Sequence, residues 1–181
     1  MSRRALPMQS GFGPVMQIAF VVRDLDAAIG YWTRVMNVGP FFLFEHVPYS
    51  EFSFRGKPSA VDMTAALAYS GETQIELIQQ HNEAPSIYAE FLDSARTGVH
   101  HVAVMADAVQ DSIEHLSAAG WSLVQQGRAV QGAQFAYLER VGDPGGILEL
   151  IERSPLTDEV FGRIREASRH WDGLTQIGQF A

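Results

Sequence analysis

The residues of this chain most able to do chemistry are two adjacent histidines and two glutamates at matching positions in its halves. The stretch GVHHVAVM (98–105) places His100 and His101 side by side in a β-branched run. Successive side chains of a strand point to opposite faces of a sheet, so the two rings are not expected to serve one site together. An internal repeat indicates which of them belongs with the glutamates.

The repeat relates two long stretches of the chain. QIAFVVRDLDAAIGYW, which begins at Gln17, aligns without a gap with HVAVMADAVQDSIEHL, which begins at His101. Near the ends of the repeat, QIELIQ (74–79) aligns with ILELIE (147–152), which places Glu76 over Glu149. Self-similarity of this kind predicts two similar supersecondary units.

Four polar side chains occupy equivalent positions on the inward strand faces of this repeat. They are Gln17, Glu76, His101 and Glu149. Two carboxylates and an imidazole are costly to bury without partners, and a divalent metal ion that binds them all offsets that cost. Ligation by N and O without sulfur suits Zn, Ni, Co, Mn, Fe or Mg. The alternative is a set of ordinary half-exposed polar residues. His100 is predicted to point away from His101, and either to pack or to form a hydrogen bond near the junction of the repeats.

The periodicity predicts an α+β fold of two tandem βαβββ modules followed by a C-terminal helix. EFSFRGKPSA (51–60) is interpreted as a strand end and a loop, and DPGG (143–146) as the turn before the last strand. Asp24 and Ser154 are predicted helix caps, and Asp107 lies in a third cap region. The predicted units are an N-terminal arm over 1–14, the first module over 15–83, a linker helix over 84–97, the second module over 98–153, and a helix and tail over 154–181.

Bulk properties exclude several classes of function. The chain of 181 residues has a formal net charge of −8, which argues against binding to nucleic acid or to an anionic membrane. No apolar run reaches the roughly 18 residues that a membrane-spanning helix needs. The start of the chain lacks the apolar core of a secretory signal, and cysteine is absent, so a cytoplasmic location is expected.

The stretches quoted above, together with GVHHVAVMADAV and GGILELIE, resemble the vicinal oxygen chelate superfamily over about residues 15–152. This superfamily includes glyoxalase I, methylmalonyl-CoA epimerase, extradiol dioxygenases and bleomycin-resistance proteins. The resemblance implies that the paired modules curl into an open mixed sheet. It also implies that the first and last strands of each module supply one metal ligand apiece, at Gln17, Glu76, His101 and Glu149, and that the protein is a homodimer.

Within that superfamily, the motifs are most similar to the glyoxalase and epimerase branches. Glyoxalase I has arginines where this chain has Val21 and Thr97, so the substrate is not expected to be linked to glutathione. The resemblance implies a metal-dependent isomerase, epimerase or lyase that abstracts a proton α to a carbonyl through a metal-stabilised enediolate. Glu149 is the first candidate for the base and Glu76 the second. The alternatives are a metal-free small-molecule binding protein and an Fe(II) extradiol dioxygenase.

An apolar substrate is expected because aromatic residues are dense between positions 41 and 54. The predicted pocket residues are Phe42 and Phe44 from this stretch, with Ala19, Val21, Ala103 and Met105 from the strands that carry the polar side chains. The alternative for the aromatic residues is ordinary core packing. The C-terminal helix carries an apolar stripe, Val160, Phe161, Ile164, Ala167 and Trp171, that must cover either the sheet or a second subunit.

Overall fold

The computed structural model describes residues 11–130, 132–140, 142 and 146–180. Most of the predicted N-terminal arm and of the DPGG turn lie outside the described residues. The helices are α1 (Leu25–Arg34), α2 (Ile87–Asp93), α3 (Val109–Ala118) and α4 (Pro155–Arg169). The strands are β1 (Phe12–Val21), β2 (Phe42–Phe44), β3 (Tyr49–Phe54), β4 (Lys57–Pro58), β5 (Met63–Ser70), β6 (Thr73–Gln80), β7 (His101–Ala106), β8 (Ser122–Ala129), β9 (Gln134–Glu139) and β10 (Ile147–Glu152).

The ten strands in the described part of the chain form one curled, open mixed sheet, as predicted. Their order is β2-β5-β6-β1-β7-β10-β9-β8-β3-β4. At the centre β1 and β7 are antiparallel, and each has a parallel neighbour on its other side, β6 for β1 and β10 for β7. The first and last strands of both predicted modules therefore lie side by side in the middle of the sheet. The strand β1 begins at Phe12, three residues before the predicted start of the first module.

The stretch 51–60 differs from its prediction as a strand end and a loop. It forms most of a β3–β4 hairpin that leaves the strands of its own half and pairs with β8 of the other half. Phe52 and Phe54 alternate along β3 and are buried in the core. Phe52 pairs with Gly127, where a Cβ atom would lie 2.7 Å from the ring of Phe135, so glycine permits the close approach of β3.

Side-chain caps start three of the four helices in the described part of the chain. Asp24, Ser86 and Ser154 each accept a hydrogen bond from the backbone N–H three residues later, at 2.9, 3.0 and 3.1 Å. The helix α3 is the exception, because its N-cap is Ala108 and no side chain caps it, so Asp107 does not fill the predicted role. The helices α1 and α3 nevertheless occupy the same point of the two halves, because each follows the first strand of its half after a short loop.

The two halves bury equivalent outer faces of the sheet. Residues of α1, led by Leu25 and Ile29, pack on the outward face of the β1 half. The matching residues of α3 pack on the outward face of the β7 half. Since one face of the sheet is covered by helices, the polar residues of β1, β6, β7 and β10 are left on the other face.

The helix α4 covers that other face within the same chain. Ile164 is fully buried and packs with Phe42, Leu67 and Tyr69, while Val160 and Phe161 lie beside it. The part of the predicted apolar stripe centred on Ile164 therefore packs on the sheet of its own chain. Among the described helices, none has the length and apolar character needed to cross a membrane.

Candidate metal centre

Small residues separate the four predicted ligands on the inward face of the sheet. The ligands are Gln17 on β1, Glu76 on β6, His101 on β7 and Glu149 on β10. Ala19 lies in register between Glu76 and His101, and Ala103 lies in register between Gln17 and Glu149. Both alanines are fully buried. Residues in register share a sheet face, so a methyl group between each pair leaves room for the longer side chains to converge.

Two carboxylates meet one ring nitrogen of His101. Its Nε2 atom lies 3.0 Å from Oε2 of Glu149 and 3.4 Å from Oε2 of Glu76. Each of these three residues offers a ligand atom within 4.8 Å of the others, which suits a metal ion. All three side chains are buried. The structure therefore brings together three of the predicted ligands in a single cluster.

Burial and mutual charge set the protonation of this cluster in the metal-free protein. Burial alone would lower the pKa of His101, but Glu149 and Glu76 outweigh it and raise that pKa to about 9. Burial raises the pKa of Glu76, His101 opposes the rise, and repulsion from Glu149 adds to it. Two carboxylates around one basic ring make a buried centre that favours positive charge, which a divalent cation would supply.

The fourth residue, Gln17, has a buried oxygen without a partner. Its Nε2 donates to Oε1 of Gln74 at 2.7 Å, and Nε2 of Gln74 donates to the hydroxyl of Tyr69 at 3.1 Å. Its Oε1 has no hydrogen-bond partner in the described structure, and neither has Oε2 of Glu76. Buried polar atoms are nearly always satisfied. Two such oxygens beside a carboxylate–imidazole cluster fit a site that binds a hard or borderline divalent cation.

The other histidine does not point away from His101, as the alternation of strand residues had predicted. His100 lies just before β7, and its Nδ1 atom is 2.8 Å from Nδ1 of His101. Burial lowers the pKa of His100 to about 3, so its ring is neutral. The ring packs against Phe91 of the linker helix, which places it near the junction of the two halves as expected.

A cavity of about 560 Å³ opens onto the cluster. Three of the four polar residues, Gln17, Glu76 and Glu149, line it, while the side chain of His101 lies fully buried behind them. The remaining walls come from β2, β3, β5, β8, β9, β10, α2 and α4 and are mostly apolar. They include Phe44, Tyr49, Met63, Leu67, Tyr88, Phe135, Tyr137, Ile151, Val160 and Phe161. The charged side chains among the described lining residues are Glu45, Glu76 and Glu149, and no lysine or arginine is among them.

Of the six predicted pocket residues, only Phe44 lines this cavity. Phe42 packs instead beneath α4 and against the ring of Phe180, at 4.8 Å between centroids. Val21 lies in the core with the linker helix, and Met105 lines a separate recess of about 210 Å³ next to α4. Ala19 and Ala103 lie on the correct face but are covered by the longer side chains on either side of them.

Two tyrosines that the sequence reasoning did not identify form part of the cavity wall. Tyr137 lies in register with Glu149, and its hydroxyl is 2.9 Å from that of Tyr88 on α2. Burial raises the pKa of both hydroxyls well above the ordinary value, so both stay protonated. The register of β9 with β10 was the signal that could have placed Tyr137 beside Glu149.

Comparisons with known proteins agree with this architecture. A family model described as the glyoxalase/bleomycin resistance protein/dioxygenase superfamily matches residues 16–137. The fold is similar to methylmalonyl-CoA epimerase from Mycobacterium tuberculosis, with 18% identity, a TM-score of 0.58, and coverage of 86% of this chain and 97% of that one. A hypothetical protein from Bacillus halodurans is similar with 19% identity, a TM-score of 0.57, and coverage of 78% and 94%.

A third similar structure is a methylmalonyl-CoA epimerase variant from Streptomyces coelicolor in complex with 2-nitronate-propionyl-CoA. It has 16% identity and a TM-score of 0.52, and the match covers 80% of this chain and 96% of that one. No curated protein sequence matches the chain. The family model spans well over half of the sequence and agrees with the predicted resemblance. The chain therefore belongs to the glyoxalase/bleomycin resistance protein/dioxygenase superfamily.

Proposed function

We propose that this protein is a metal-dependent isomerase, epimerase or lyase that removes a proton α to a carbonyl group of an uncharged, largely apolar small molecule. One observation carries the proposal. The buried group of Gln17, Glu76, His101 and Glu149 has two oxygens that accept no hydrogen bond and borders a cavity with apolar walls. A binding protein for apolar molecules would have no need of buried carboxylates at its cavity floor.

The ion would be held by Oε1 of Gln17, Nε2 of His101 and the carboxylates of Glu76 and Glu149. A divalent ion bound there would stabilise the negative charge that develops on a substrate oxygen when the neighbouring carbon loses a proton. Two carboxylates and two neutral ligands balance the charge of such an ion. All four residues come from one chain, so the predicted homodimer is not needed to complete this ligand set.

A carboxylate that borders the cavity can move the proton. Glu149 is the first candidate because it lines the cavity and lies in register with Tyr137, whose hydroxyl stays protonated and can donate to a substrate oxygen. Glu76 also lines the cavity, and its raised pKa makes it a stronger base than an ordinary carboxylate. An enzyme that exchanges protons on both faces of a carbon would use both carboxylates.

The electrostatics of the cavity favour an uncharged substrate. A phosphate, a carboxylate or a coenzyme A moiety inside it would meet the side chains of Glu45, Glu76 and Glu149 without a cationic partner among the described lining residues. The similar structures named methylmalonyl-CoA epimerase support proton abstraction as the reaction class. We propose that this chain applies that chemistry to a different, neutral compound, such as an aryl-substituted α-hydroxyketone.

Solvent deuterium exchange tests the proposal. The protein, loaded with Zn²⁺, Ni²⁺, Co²⁺ or Mn²⁺, is incubated in D₂O with a panel of uncharged α-hydroxyketones, and NMR follows loss of the α-proton. Exchange that needs the metal and is lost in Glu149→Gln supports the proposal. Glu45→Gln is the matched control, since Glu45 lines the same cavity outside the metal cluster.

Two results would favour the alternative functions. Tight binding of an apolar ligand that is unchanged by EDTA, with no exchange on any compound, would indicate a binding protein. Oxygen consumption with catechols after loading with Fe²⁺ would indicate a dioxygenase. Either result overturns the proposed proton abstraction.

A further inference from the structure

We propose that His100 is a positioning residue that holds His101 in its metal-binding form by accepting a hydrogen bond from the Nδ1–H group of His101. This inference rests on the proposed metal dependence of the site. His100 is the first histidine of the HH pair and is not one of the four predicted ligands.

The two nitrogens of the His101 ring face different surroundings. Nε2 faces the carboxylates of Glu149 and Glu76 at 3.0 and 3.4 Å, on the side where an ion would bind. Nδ1 faces Nδ1 of His100 at 2.8 Å. A ring in this orientation can offer only Nε2 to a metal ion.

The metal-binding form of His101 dictates the direction of the hydrogen bond between the rings. A neutral imidazole that binds a metal through Nε2 carries its hydrogen on Nδ1. The Nδ1–H group must then donate, and Nδ1 of His100 must accept with its lone pair. His100 in turn carries its hydrogen on Nε2, where the carbonyl oxygen of Ile87 lies 3.4 Å away and can only accept. Each contact in this chain of three groups has one donor and one acceptor.

The packing around His100 holds its ring in this position. The backbone N–H of His100 donates to the carbonyl of Ala19 at 2.8 Å, which ties the residue to the central strand β1. The ring meets Phe91 edge to face at 4.9 Å between centroids and lies near Tyr88 at 5.7 Å. Only 4% of the residue is exposed. A metal-bound histidine usually donates its second N–H to a carboxylate, a carbonyl or water. Here a neutral ring takes that place, and it adds no further negative charge to the two carboxylates.

Binding of Co²⁺, measured by its visible absorption in competition with a chelator, tests the inference on the full chain. His100→Leu keeps an apolar side chain in the pocket but removes the acceptor, and we expect it to weaken Co²⁺ binding by about 10- to 100-fold. His100→Asn places an amide oxygen near the position of Nδ1, and we expect it to restore affinity to within a few-fold of wild type. Phe91→Leu is the matched control, since it loosens the same pocket and leaves the acceptor in place.

The ¹⁵N chemical shifts of the imidazole rings in the Zn²⁺-loaded protein give an independent readout. The expected spectrum has a protonated Nδ1 in His101 and an unprotonated Nδ1 in His100. A protonated Nδ1 in His100 would overturn the inference, and so would wild-type Co²⁺ affinity in folded His100→Leu protein. Equal losses in His100→Asn and His100→Leu would also overturn it, because packing alone would then explain them.

The same experiment separates this inference from the proposed function. If the wild-type protein binds Co²⁺ and His101→Ala does not, the metal site stands, and the His100 variants alone decide the positioning role. If the wild-type protein fails to bind any of the divalent ions, the proposed function is wrong and the positioning role is wrong with it.

Discussion

Replacement of Glu76 by glutamine should make the metal-free protein more stable. Folding raises the pKa of Glu76, so by linkage its ionised form destabilises the folded state at neutral pH. Its Oε2 atom is buried without a hydrogen-bond partner. Glutamine keeps the shape of the side chain and removes its charge, and with it both the repulsion from Glu149 and the attraction to His101; the cost of burying the charge is the largest of these effects. A buried unsatisfied polar group costs about 1–3 kcal/mol, and since the amide remains polar we expect a gain of about 1–2 kcal/mol.

The same substitution should weaken the stabilisation that a bound metal gives. Free metal at 100 times its dissociation constant stabilises a folded protein by about 2.7 kcal/mol. For a chain of this size about 2–4 °C of Tm corresponds to each kcal/mol, so the wild type should gain about 5–11 °C on loading. Glu76→Gln removes a charged ligand, so the variant should lose more than half of this gain in Tm. Without metal, the variant should melt about 2–8 °C above wild type.

Thermal unfolding of both proteins, in EDTA and in a series of Zn²⁺ or Co²⁺ concentrations, measures the two effects together. Glu45→Gln serves as the control because Glu45 is exposed, and its Tm should stay close to wild type in both conditions. The substitution should raise the Tm in EDTA but reduce the gain in Tm on metal loading, so a general change in stability cannot explain both results. A variant that melts at or below the wild-type temperature in EDTA, or that keeps the full gain on loading, would refute the view that a destabilising carboxylate is retained to bind a metal.

Three further substitutions test the elements that build the cavity. Gly127→Ala should destabilise the protein by about 1–3 kcal/mol in urea unfolding, because the new Cβ would lie 2.7 Å from the Phe135 ring and 2.8 Å from the carbonyl oxygen of Glu51. An unchanged unfolding midpoint would contradict the close approach of β3. Ile164→Ala should lower the free energy of unfolding by about 2–5 kcal/mol, and a protease should then cleave α4 before the rest of the chain. Uniform cleavage along the chain would show that Ile164 does not anchor α4 to the sheet. Ser154→Ala should cost about 0.5–2 kcal/mol in chemical unfolding through loss of the helix cap, and a smaller loss in Ser154→Gly would separate the cap from side-chain packing.

The internal repeat explains why the central part of the fold could be predicted. The gapless alignment placed Gln17 over His101, and the antiparallel pairing of β1 with β7 makes the two positions equivalent in space. Alternation along β6 and β10 put Glu76 and Glu149 on the same face of the sheet. Patterns of period two and simple symmetry were sufficient, because every predicted ligand lies on one of the four central strands.

The parts that could not be predicted depend on contacts between elements far apart in the sequence. No local pattern shows that the β3–β4 hairpin crosses to β8, since the alternation of Phe52 and Phe54 suits any partner strand. Alternation also fails for His100, because that residue lies before the first residue of β7 and does not follow the pleat. Which residues of the inward face reach the cavity depends on what lies above them, and α4 covers Phe42 but leaves Phe44 open.

The charges of the site and the apolar walls of the cavity are both explained by the cost of burying a net charge. The two neutral residues of the proposed ligand set, Gln17 and His101, lie on the middle strands β1 and β7, and a carboxylate flanks each of them on β6 and β10. Each neutral ligand has a neutral buried partner, Gln74 for Gln17 and His100 for His101, so the ligand set carries two negative charges when His101 is neutral. A divalent ion bound as proposed would cancel that charge, and the loaded centre would present a locally neutral surface to the apolar cavity. An anionic substrate would need a cation in the wall, and the described lining residues have none. The same residues that make the metal-free centre costly to bury thus make the loaded centre compatible with an apolar substrate.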